Sequence, residues 1–164
     1  MSLYELLSLI IAAAGFIVVA ITLIILIKQV GQMTIQTKYV AKSLKVSAYE
    51  SVANQMVMVD EVFIRQPEFR PYFYSGKCIN KDDADYDKVV AIAELILDVS
   101  DSVLIQSKQF PQVWPQRWWG EYIIDSFSNS PLLCEYLSTL QNWYTKDLIA
   151  LMRKGEARRL HSNT

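Results

Sequence analysis

The residues that could do chemistry come first. Asp83-x-Asp85-x-Asp87, with Glu94 eleven residues after Asp83, imitates the ligand spacing of a calcium loop. Such a loop needs glycine at its sixth position for a sharp turn, and Lys88 stands there. Together with Asp82, these acids instead open an amphipathic stretch, where the positive end of a helix dipole favours them. Glu94, Asp98 and Asp101 then read as the solvated face of that helix. No metal and no cofactor are expected. The lone His161 cannot build an imidazole site. No G-x-S-x-G, HExxH or CxxC pattern occurs, and Cys134 has no histidine near it in sequence. Without a catalytic set, the expectation is a non-enzymatic protein.

Binding chemistry is better represented. Aromatics concentrate in the C-terminal half. Trp114, Arg117, Trp118, Trp119, Tyr122 and Trp143 form a candidate ligand or partner surface, because aromatics and arginine enrich such sites. The alternative is that the rings are the core of a small bundle. Arg117 is placed to pair with Glu121 at i+4, or to meet an anionic ligand. Arg70, Lys77 and Lys81 surround a loop that could face phosphate, but no glycine-rich cradle accompanies Gly76.

These residues need elements to hold them. Leu6 to Ile27 holds 22 residues, 19 of them hydrophobic and none charged. As a helix it spans roughly 33 Å, against a hydrocarbon core of about 30 Å. A signal peptide would need a basic n-region and a shorter apolar core; only Glu5 is charged before Leu6. The reading is a retained transmembrane helix. Lys28, Lys38, Lys42 and Lys45 follow it, so the positive-inside rule puts the body in the cytoplasm and the N-terminus outside. The expected domains are 1–28 (N-terminus and span), 29–50 (helical stalk), 51–155 (bundle) and 156–164 (polar basic tail). A cytoplasmic body suits Cys78 and Cys134 as reduced thiols. Ser8, Ala12, Gly15 and Thr22 share one stripe of the span. Small residues allow close helix approach in lipid, making this a candidate self-association face.

The body reads as all-α, an up-down bundle of about four helices. No proline falls between Lys28 and Gln66, so the span is expected to run on as one helix, with Gly31 a place to bend, until Pro67 ends it. A short turn over Phe69–Tyr74 and a loop to Asp83 follow. Helices are then expected over 84–109, 116–127 and 131–154. Ser130-Pro131 would cap the last one and Gly155 would stop it. Phe63-x3-Pro67-x-Phe69-x2-Tyr72-Phe73 is echoed 64 residues later by Phe127-x3-Pro131-x-Leu133-x2-Tyr136-Leu137. Each copy closes one helix with an aromatic and opens the next with proline.

Charge is layered as well. Residues 28–50 carry four cations and one acid, 60–147 eight and fourteen, and 148–164 four and one. The acidic middle disfavours DNA. In an up-down bundle the last helix returns toward the bilayer, so Lys28, Arg153, Lys154, Arg158 and Arg159 are candidate lipid-headgroup contacts.

The single N-terminal span, the run PEFRPYFYSGK and the run WPQRWWGEYIIDSFSNSPLLCEYLSTLQNWY resemble an uncharacterised family of bacterial single-span membrane-anchored helical proteins. Trp118, Trp119, Tyr122, Phe127, Ser130 and Pro131 carry the likeness. It implies a fold and a location and supplies no catalytic residue. The expected function is a membrane-anchored interaction or sensing module, oligomeric through its span, with membrane lipid and a homo-oligomer or membrane-protein partner. Two alternatives stand beside it. One is a ligand-gated membrane effector whose body binds a small anionic, nucleotide-like signal. The other is an accessory subunit of a larger membrane complex.

Overall fold

The computed structural model describes residues 2–111 and 116–162. The chain is all-helical, with no strand among the described residues. It divides into two compact units, Met1–Leu44 and Lys45–Thr164. The first helix, α1 (Leu3–Arg65), contributes to both and continues through Gly31 without a break.

In the first unit a capping box starts the helix. Glu5 reaches back to accept the Ser2 N–H at 2.8 Å, and the Ser2 hydroxyl accepts the Glu5 N–H at 3.3 Å. The apolar window that follows has a mean hydropathy of 3.1 and is wholly unburied within the chain. Helix α1 is therefore long and apolar enough to cross a membrane. Four of its hydroxyls are satisfied on their own helix. Ser8 donates to the Glu5 carbonyl at 3.0 Å, and Thr22, Thr34 and Thr37 donate to carbonyls four residues back at 2.8–2.9 Å. That pairing removes most of the cost such groups would carry in an apolar medium.

In the second unit one stripe of α1, with Val52, Val59 and Phe63, is buried. Pro67 ends the helix as expected. A 3-10 turn (Pro67–Phe69) leads into α2 (Pro71–Tyr74), and a loop leads to α3 (Tyr86–Gln109). Then come α4 (Gln116–Asn129), α5 (Pro131–Thr139), a 3-10 turn (Gln141–Trp143) and α6 (Lys146–Ser162). Helix α3 is the central packing element, with Val89, Ala93, Leu97 and Val103 essentially inaccessible. It packs on α4, α5 and α6.

The two proline joints meet. Phe63 packs across the first joint against the rings of Phe73 and Tyr74, each at 5.6 Å. At the second joint the Ser130 hydroxyl caps α5 by accepting the Leu133 N–H. It also donates to the Tyr72 carbonyl at 2.8 Å. Gly76, at φ +70°, donates its N–H to the Asn129 carbonyl at 2.9 Å. The echoed positions Phe63/Phe127, Phe69/Leu133 and Phe73/Leu137 are all buried.

Three expectations are corrected. The expected helix over 131–154 is two helices, α5 and α6. The Ser138 and Thr139 hydroxyls turn back onto the Glu135 and Tyr136 carbonyls, and α5 closes there. Thr145 then starts α6, its hydroxyl accepting the Leu148 N–H at 3.4 Å. Gly155 does not stop a helix, and 156–162 is not a tail but the last turns of α6. A Cβ on Gly155 would lie 2.5 Å from Phe127 Cβ and 2.9 Å from the Ile124 carbonyl oxygen. The missing side chain thus lets α6 approach α4 closely, a reason unrelated to capping.

Candidate functional site

Of the candidate aromatic surface, Trp118, Trp119 and Tyr122 lie on α4, and Trp143 lies on the 3-10 turn between α5 and α6. Trp119 and Tyr122 lie edge-to-face on α4, with centroids 5.8 Å apart. Trp118 is exposed beside them, as is Arg117. Trp114 lies outside the described residues. Arg117 does not take Glu121 as its partner; Arg158 of α6 holds that carboxylate at 3.0 Å and also meets Asp125. Arg158 therefore ties α4 to α6. Arg153 and Lys154 are exposed, as is Lys28 in the first unit.

Three cations of the second unit are engaged with rings. Arg70 lies 4.7 Å from the centroid of Tyr74, Lys77 4.1 Å from Tyr72, and Lys88 6.0 Å from Phe69. Lys88 also pairs with Asp85 at 2.8 Å. The Asp85 N–H in turn bonds Asp83 Oδ1 at 2.9 Å, so these acids build the entry to α3. Among the described residues, no group of three or more His, Cys, Asp or Glu could hold a metal ion.

Trp143 sits elsewhere, on the 3-10 turn between α5 and α6, and is 83% exposed. It lines two open grooves of about 410 and 390 Å³, which share Asp98, Trp143 and Tyr144. One wall is α3, whose Glu94, Asp98 and Asp101 recur at i, i+4 and i+7 and so share a face. The other wall is Tyr136, Leu140, Trp143 and Tyr144. Each acid holds the opposite wall. Tyr136 donates to Glu94 Oε2 at 3.5 Å and Tyr144 to Asp98 Oδ1 at 3.0 Å. Asp101 accepts the Thr145 N–H at 3.3 Å as well as its hydroxyl.

The electrostatics keep this arrangement intact. Burial, then the hydrogen bond and charge of Asp98, push the Tyr144 phenol far above its ordinary value. Burial and the Glu94 charge raise Tyr136 in the same way. Both phenols therefore remain donors at neutral pH. The groove is an acid-lined slot with a bare indole at its middle, suited to a cation. The sequence marks Trp143 as a candidate surface residue and Glu94, Asp98 and Asp101 as a solvated face; Glu94 and Asp98 are exposed, and Asp101 is half-buried in the groove. The spacing of the three acids was visible. What the sequence lacked was the break at Leu140–Thr145 that carries Trp143 and Tyr144 to them.

Comparison with protein-family models, with curated proteins and with solved structures finds no match for this chain. Fold and site therefore rest on the chain's own residues.

Proposed function

We propose that the protein is a membrane-anchored, non-enzymatic interaction or sensing module, with an N-terminus outside, an up-down helical body in the cytoplasm, and self-association through the span. The observation that carries this reading is the apolar window of α1, at a mean hydropathy of 3.1 and wholly unburied. In water, such a surface would be an association hazard. A bilayer is the solvent that matches it. The body meanwhile has its own buried core, to which α1 contributes Val52, Val59 and Phe63 but no residue of the apolar window. The Ser8, Ala12, Gly15 and Thr22 stripe favours close helix approach, since small side chains let helix backbones come near one another in lipid. The two grooves around Trp143 are lined with carboxylates, which supports a protein or cationic partner over the nucleotide-like alternative.

Carbonate extraction of membranes from expressing cells tests the anchor, and the full-length chain is expected in the pellet. Recovery in the soluble fraction, or a chain shortened within residues 1–28, would overturn it. Exposed Cys78 reports sidedness, because an impermeant maleimide should label it only after the membrane is opened.

A further inference from the structure

We propose that the slot between α3 and the α5–α6 connection binds a basic segment of a partner protein, seating a Lys or Arg side chain on Trp143 between Glu94, Asp98 and Asp101. The inference rests on reading the body as an interaction module and names the chemistry of its partner.

The argument is charge complementarity joined to shape. The acids of the described ion pairs are Glu61, Asp85, Glu121, Asp125 and Asp147. Glu94, Asp98 and Asp101 instead accept from Tyr136, Tyr144 and Thr145, which are neutral. Three negative charges thus line one slot, and none of the ion pairs among the described residues involves them. Neutral donors fix the carboxylates' positions without cancelling their charge, so the slot is organised before anything binds. Each carboxylate can accept more bonds than these donors supply.

Trp143 gives the slot its selectivity. An indole face is the best aromatic surface for an ammonium or guanidinium, and this one lies open where the two grooves join. Ile105, 44% exposed on the α3 wall, offers an apolar strip for an aliphatic stem. Gln106 Oε1 lines the same end, shielded from solvent and without a hydrogen-bond partner.

The layout selects the occupant. The carboxylates are strung along α3 over seven residues, about 10 Å of helix, rather than gathered at one point. They therefore do not meet around a metal ion. Two joined grooves open to solvent suit a chain passing across α3, with one cationic side chain on the indole and its neighbours on the flanking acids.

The test uses the full-length chain in uncharged detergent micelles and a short fluorescein-labelled peptide alternating Lys and Ala, read by anisotropy at near-physiological salt. Trp143→Ala is expected to weaken binding about fivefold or more. Glu94→Gln should weaken it by a similar factor, whereas the double change Asp82→Asn with Asp83→Asn should leave it unaltered. No binding, or equal losses in all three variants, would overturn the proposal, since only a diffuse acidic field would remain. Spermine binding as tightly as the peptide, with the same dependence on Trp143, would also overturn it in favour of a small polyamine. Because Trp143 is surface-exposed, its removal leaves the core intact, and Glu94→Gln provides a second reading. Binding in micelles does not depend on how the chain sits in a bilayer, so this test and carbonate extraction can fail separately.

Discussion

The Ser130 hydroxyl donates to the Tyr72 backbone carbonyl at 2.8 Å across 58 residues of chain, while accepting the Leu133 N–H. One buried side chain thus caps α5 and pins the first proline joint to the second. Ser130→Ala would remove the cap and leave the Tyr72 carbonyl without this donor. The expected loss is about 1–3 kcal/mol, combining a lost N-cap with a lost buried hydrogen bond. Chemical denaturation of the full-length chain in detergent measures it. A midpoint within error of the parent would mean that the joints hold each other by packing alone.

Gly155→Ala separates two roles for that glycine. In an open helix, alanine is about 1 kcal/mol better than glycine. Here its Cβ would fall 2.5 Å from Phe127 Cβ and 2.9 Å from a backbone oxygen. Backbone cannot swing aside, so α4 and α6 would have to separate. The expected outcome is destabilisation of about 1–3 kcal/mol, typical of overpacking. A more stable variant would show that the two helices are not in this close register.

What the sequence disclosed follows from how local each signal is. The end of the first helix was legible because Pro67 stops it; its passage through Gly31 was not, since a lone glycine permits either a bend or a continuous helix. The proline joint at Ser130-Pro131 was legible because capping chemistry spans only three residues. Gly155 was misread because its reason is Phe127 on another helix, which no local pattern encodes. The break after Thr139 was missed for a related cause. The stripe Leu133, Leu137, Leu140, Tyr144, Leu148 keeps helical spacing, yet the Asp101 carboxylate captures Thr145 and starts a new helix. That tertiary event also builds the slot around Trp143, which is why the site was only partly visible.

Arg158→Ala should do little to stability despite its two carboxylate partners. The arginine side chain is 47% exposed, Glu121 59% and Asp125 60%. Water and salt screen such exposed pairs, so little of their attraction survives as stability. The same denaturation measurement should therefore rank Arg158→Ala well below Gly155→Ala. The opposite order would place the α4–α6 contact energy in charge rather than in packing.

The two cysteines should behave as different chemical species. Cys78 is exposed, whereas Cys134 is buried and its thiol donates to the Phe127 carbonyl at 3.4 Å. Burial pushes the Cys134 thiol from 9.0 up to about 11, even though nearby Arg159 pulls it back. Since the thiolate is the nucleophile, a disulfide reagent near neutral pH should titrate one thiol quickly, and the second only as the fold opens. Stability should follow the same shift. At pH values below 9 both the folded and unfolded forms keep the proton, so this group adds no slope. Between pH 9 and about 11 the unfolded chain loses the proton while the folded chain retains it, so stability falls as pH rises. The slope approaches about 1.4 kcal/mol per pH unit for a single group. Tyr74 and Tyr144, also raised chiefly by burial, act in the same direction at higher pH. Cys134→Ala should flatten the alkaline fall in Tm without abolishing it. Two thiols of equal reactivity in the folded chain would show that Cys134 is open to solvent and remove the basis for the slope.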